Sequence, residues 1–149
     1  MDKIEQQIKR FGKLDIWDVV KDIVNKEEQV LINLIKQQLT EGETKTGRTN
    51  EYSPNSRSYV QMKLNKGRIK SSTLPHMNLY NEGDFYKQLG AVITEKEIEI
   101  FSNDSKAEKL EGLYGSKIYE PNEERMIKFK NHILPIIQEK IRKHLGYEL

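Results

Sequence analysis

From Asp15 to Glu41 the apolar positions Ile16, Val19, Val20, Ile23, Val24, Val30, Leu31, Leu34, Ile35 and Leu39 recur mostly every three or four residues. That spacing predicts one amphipathic helix with a single apolar face. Asp15 stands where an N-cap acid belongs, and Gly42 where a C′ glycine ends a helix. Such a helix of ~27 residues would be ~40 Å long, longer than a small domain is wide. Ahead of it, residues 1–13 read as an N-terminal arm or short polar helix interrupted by Gly12. At the other end of the chain, Met126, Phe129, Ile133, Ile136, Ile137 and Ile141 hold helical spacing, so a last helix is expected from Asn122 to about His144 after Pro121. Pro135 inside it removes one hydrogen bond and should kink it.

Between these helices the period changes. Phe85 to Thr94 is an apolar run, Glu95-Lys96 a polar break, and Glu97 to Phe101 a second β-favouring run. Two such runs about a short turn predict an antiparallel hairpin at about 85–101. Glu97-Ile98-Glu99-Ile100 alternates with period two, which places both isoleucines on one face, expected to be buried, and both glutamates in water. Ser53-Pro54 predicts the start of a short helix ending before Gly67, and Lys106 to Tyr114 another ended by Gly115. Residues 42–52 and 68–76 read as loop. The expected architecture is α+β: a single domain over 1–149, in which a small antiparallel sheet is covered by a long N-terminal helix and a C-terminal helix.

The length of 149 residues suits one domain, able to bury roughly 70% of its unfolded surface without staples. With 36% hydrophobic and 32% charged residues, the chain is wetter than an average domain, as befits a small core or a subunit completed by neighbours. The absence of cysteine excludes disulfides and thiolate metal sites. No apolar run approaches the ~20 residues that span a bilayer, and MDKIEQQIKRFGK lacks the apolar centre of a signal peptide. No membrane is therefore expected among the partners, and the protein is expected to be made and used in a cytoplasm or to leave it inside an assembly.

The net charge of +2 conceals an asymmetry. Between Thr44 and Pro75 the seven bases Lys45, Arg48, Arg57, Lys63, Lys66, Arg68 and Lys70 face Glu51 alone, a segment charge of +6. Between Glu95 and Arg125 nine acids face five bases, a charge of −4. This basic loop with its short helix, residues 43–76, is the one stretch that points to a ligand. Its Arg and Lys with Tyr52 and Tyr59 interleaved suit sequence-independent phosphate contact, and equally a solvated loop. The seven bases are expected on one surface, facing a polyanion or the acidic segment of a neighbouring copy.

Other chemistry finds little support. His76, His132 and His144 form no zinc-protease spacing and read as structural or solvated. Neither a phosphate-binding glycine loop nor a Gly-x-Ser-x-Gly elbow occurs. Asp84, Glu97 and Glu99 could be read as a nuclease-like carboxylate set, but Glu97 and Glu99 share a strand face with no lysine following, so a solvated face is favoured. No catalytic, cofactor-binding or metal residues are expected, and no enzyme activity.

Tyr52-Ser53-Pro54 with Tyr59 and Lys63, Leu79-Tyr80-Asn81-Glu82-Gly83-Asp84-Phe85-Tyr86, Glu97-Ile98-Glu99-Ile100, the Ser102 to Lys106 turn, Lys109-Leu110, Tyr114-Gly115 and Ile133-Leu134 before Leu145 follow one another along the chain. Together they resemble small virion proteins of tailed bacteriophages, of the tail-completion or head–tail joining (minor tail component) type. Glu82 stands where such relatives often carry threonine, and Ile118-Tyr119-Glu120-Pro121 departs from their Ile-x-Gly-Leu. The resemblance spans about Tyr52 to Leu145 and implies helices packed on a small antiparallel sheet. It also implies homo-oligomeric rings at the head–tail junction of a virion, touching portal or connector and tail-tube proteins. It implies no active-site residues. Two rival readings are a phage or prophage DNA-binding or DNA-processing protein acting without sequence preference, and an intracellular adaptor with no nucleic-acid role.

Overall fold

A computed structural model of the chain describes residues 2–94 and 97–146. It is an α+β fold of seven helices and one two-stranded antiparallel sheet among the described residues. The first helix, α1 (Lys3–Gly12), is closed by a reciprocal cap in which the Asp2 carboxylate accepts from the Glu5 N–H and the Glu5 carboxylate from the Asp2 N–H. Asp15 then caps α2 (Ile16–Lys26), accepting from the N–H groups of Trp17 and Asp18.

The single long helix expected from Asp15 to Glu41 is in fact two, α2 and α3 (Glu28–Thr40), broken at Glu27. The apolar stripe explains the break. After Val20, Ile23 and Val24, the next turn should offer an apolar side chain at 27 or 28, and both are glutamates. Glu27 turns its carboxylate to the His132 Nε2 on the last helix, 2.8 Å away. Each half can then bury its own face: Val19, Ile23 and Val24 from α2, and Leu31, Ile32, Ile35 and Leu39 from α3. Ile35 and Leu39 are fully buried at the centre of the core.

The last helix, α7 (Glu123–Leu145), starts from an Asn122 cap and ends at Gly146 in the left-handed region. It runs through Pro135 and packs against α1, α2 and α3. Between α3 and α7 lie a 3₁₀ turn at Pro54–Ser56, α4 (Arg57–Asn65), α5 (Asp84–Lys87), the hairpin, and α6 (Ala107–Tyr114), which Gly115 ends.

The hairpin starts later than the composition predicts. Phe85 and Tyr86 belong to α5, a single turn entered through Gly83 at φ 87°, and both are buried. A side chain at Gly83 would also strike the Tyr80 ring, so the position needs glycine twice over. The strands are β1 (Leu89–Ile93) and β2 (Ile98–Ser102), paired with Ala91 opposite Ile100 and Ile93 opposite Ile98. The turn at Glu95-Lys96 lies outside the described residues. Ile98 and Ile100 do share a face with Leu89, Ala91 and Ile93, and α3 packs on β1. On β2 only the inner residue of that face is covered, however. Ile100 packs on the core half-buried, whereas Ile98, nearer the tip, is exposed, so its expected burial does not hold. Ile100→Ala is therefore expected to cost about 1–2 kcal/mol in a denaturant titration, and Ile98→Ala under about 1 kcal/mol. Equal losses at the two sites would contradict this placement of the tip.

Candidate functional site

The basic segment is not a projecting arm. It is laced to itself and to the helices by main-chain bonds. Thr49 N–H donates to the Gly42 carbonyl, Tyr52 N–H to Pro75, Met77 N–H to Asn50 and Lys45 N–H to Lys117. Gly42, at φ 69°, sits against Thr73, His76 and Met77, which leaves no room for a Cβ. His76 Nδ1 lies 2.6 Å from the Thr49 carbonyl, a structural role.

At the centre of this lobe stands Lys63, only 1% exposed. Its ammonium donates to the Tyr52 hydroxyl at 2.8 Å and to Asn78 Oδ1 at 2.5 Å. It also lies 5.5 Å from the Tyr52 ring centroid and 5.6 Å from that of Tyr59, where the ring faces attract a cation. Asn78 is fully buried and extends the network, donating to the Arg68 carbonyl and accepting at its own carbonyl from the Tyr86 hydroxyl. Burial, then the charge of Arg68, lowers the Lys63 ammonium to about 8. Burial, then Tyr59, raises the Tyr52 hydroxyl to about 12.

This corrects the expected DNA-facing set. Lys63 faces inward, and Tyr52 and Tyr59 serve it and pack edge-on against each other rather than against bases. Arg68 is half-buried and donates to Asn81 Oδ1 at 3.1 Å. Lys45 pairs with Glu120 at 2.9 Å, and Arg48 reaches the Thr73 carbonyl at 3.4 Å. Arg57, Lys66 and Lys70 are exposed. The segment thus spends part of its charge on its own fold.

A second charged centre joins the end of α3 to the start of α7. Arg125 is 1% exposed and forks between two carboxylates, Glu43 at 2.8 Å and Glu41 at 2.5 Å. Asn122 Nδ2 also donates to Glu43. Beside it the buried Gln38 bridges the same seam, donating to the Glu120 carbonyl and accepting from the Asn122 N–H. Nothing in the sequence pattern marks Arg125 or Gln38, because their partners lie about eighty residues away.

Two surface features remain. An open groove of about 580 Å³ runs between β2 and the start of α7. Ile100, Phe101, Met126 and Phe129 contribute its apolar floor, and Glu97, Glu99, Glu111 and Glu120 its charged rim, with Lys45 the basic lining residue. At the far end of the molecule, α1 has no buried residue at all. Its Ile4, Ile8 and Phe11 form one stripe and are 66%, 67% and 52% exposed. Its other side is fixed to the end of α7, where Arg10 donates to the Leu145 carbonyl and His144 contacts the Arg10 carbonyl.

Among the described residues no group of three His, Asp or Glu side chains is placed to hold a metal ion, and Asp84 begins α5 rather than joining Glu97 and Glu99 on the sheet. No helix among the described residues is long and apolar enough to cross a membrane. No family model matches the chain, and neither a curated protein nor a solved structure matches it.

Proposed function

We propose that this chain is a structural subunit of a tailed-phage neck or upper tail, a head–tail connector or tail-completion protein. Copies of it form a ring through which DNA passes, seated between portal or connector and tail-tube proteins in the virion. The observation that carries this reading is α1. A capped, amphipathic helix whose apolar stripe stands in water is the mark of a surface completed by another molecule. The acidic rim of the groove fits the same picture, since a ring subunit offers different surfaces to its two neighbours. The resemblance of residues 52–145 to virion proteins supplies the biological setting. No catalytic step is assigned to the subunit.

The competing reading, a free protein that binds or processes DNA, draws on the exposed Arg57, Lys66 and Lys70. It is weakened by the burial of Lys63, whose ammonium is held by the Tyr52 hydroxyl and lies by the Tyr59 ring. Native mass spectrometry of the purified chain separates the two. A complex of fixed stoichiometry well above the 17.5 kDa of one chain, with plasmid left intact in magnesium or manganese, is the expected result. A monomer that cleaves the plasmid, with cleavage lost in Asp84→Ala or Glu97→Ala, would replace the ring reading with the competing one.

A further inference from the structure

We infer that α1 of one copy docks its Ile4–Ile8–Phe11 stripe into the acidic-rimmed groove between β2 and α7 of the next copy. The inference rests on the ring reading and specifies the contact that would build it.

The two surfaces match in chemistry. The stripe is apolar and the helix carries Lys3, Lys9, Arg10 and Lys13 outside it, while the acids of α1, Asp2 and Glu5, are tied to each other in its cap. The groove has an apolar floor between Phe101 and Phe129 and four glutamates against one lysine at its rim, and that Lys45 is already paired with Glu120. A helix of net positive charge laid in an acidic groove buries its apolar anchors and is drawn there by the opposite charge. The +2 helix and the −3 rim are complementary by that count of side chains.

The two surfaces are also kept apart within one molecule. Arg10 and His144 hold α1 at the Leu145 end of α7, and Met126 opens the groove near the other end. Nineteen helical steps, about 28 Å, separate Met126 from Leu145. The helix therefore does not fill the groove of its own chain. Donor and acceptor surfaces that differ and sit at opposite ends produce a head-to-tail contact, which repeats into a closed ring or an open filament rather than a two-fold dimer.

The cysteine-free sequence makes the test direct. Ile8→Cys and Glu99→Cys are prepared as separate full-length proteins, both at exposed positions, then mixed and treated with a short flexible dimaleimide. The expected product is a covalent dimer in which peptide mapping joins position 8 to position 99. In parallel, native mass is measured for the Ile4→Ser, Ile8→Ser, Phe11→Ser triple variant, whose melting temperature should stay near that of the wild type because the three side chains are exposed. Its expected mass is that of one chain. If the wild type assembles but the triple variant assembles equally well, α1 docking is wrong and the ring reading stands. Links joining position 8 to position 8 would likewise replace the head-to-tail contact with a two-fold one. A link from 8 to 99 with masses rising without a fixed limit keeps the docking and removes ring closure. A wild type that stays monomeric at every concentration removes both.

Discussion

Arg125→Ala is expected to destabilise the protein by about 2–4 kcal/mol, the largest loss among the changes considered. The side chain is almost fully buried, and its guanidinium is the only cation bonded to Glu41 and Glu43 in the described network. Removing it leaves a cavity at the α3–α7 seam and two carboxylates near each other without their counter-charge. Those carboxylates are 45% and 29% exposed, so water recovers part of the cost, which places the value below that of breaking a fully buried pair. Arg125→Lys should fall between, about 1–2 kcal/mol, because an ammonium keeps the charge but cannot fork to both acids. A denaturant titration reads both values as shifts in midpoint at constant slope. A loss under about half a kcal/mol for the alanine variant would show that the seam is held by Gln38 and the core instead.

Lys63 should announce itself through pH. Unfolded, its ammonium releases its proton near the ordinary 10.5, whereas in the fold burial brings that down to about 8. Between those values the unfolded chain binds more protons than the folded one, so stability rises with pH. Below about pH 8 both states are charged, and the fold carries the full cost of the buried cation. Relative to Lys63→Met, which keeps the stem and drops the charge, the wild type is expected to gain up to about 1–2 kcal/mol from pH 8 to 9.5. The window closes there because Tyr52, raised to about 12, contributes the opposite slope above the ordinary tyrosine value of 10. A difference between wild type and Lys63→Met that stays flat over this range would mean that the ammonium is hydrated in solution.

What the sequence made legible is local. Asp15, Asn122 and Gly115 mark helix ends through side-chain caps and a positive φ, chemistry that acts within three or four residues. The alternation at 97–100 placed Ile98 and Ile100 on the correct face, since side-chain period is a property of the strand itself. How far along that face the helices reach is a tertiary matter, and there Ile98 was misjudged. The α2–α3 break was visible as two glutamates in the apolar stripe, but with neither glycine nor proline it did not read as an end. Phe85 and Tyr86 favour a strand by composition, yet the left-handed Gly83 starts a helical turn, and the Tyr86 hydroxyl is drawn to the Asn78 carbonyl.

Lys63 departs from its expected surface position for a related reason. Counting charges treats each lysine as exposed, which is the usual case. Lys63 is the exception because Tyr52, eleven residues back, and Asn78, fifteen on, converge on it. The acidic groove has no signature in the sequence, being assembled from β2, the Gly115 turn and α7. Its acids were counted in the −4 segment, but the apolar floor that makes them a rim exists only in the fold.

A closed ring that passes DNA is open to test by negative-stain electron microscopy of the purified protein. Class averages of closed rings, each with a central opening at least as wide as a DNA duplex, are the expected result. Monomers, or compact two-fold dimers with no opening, would contradict it.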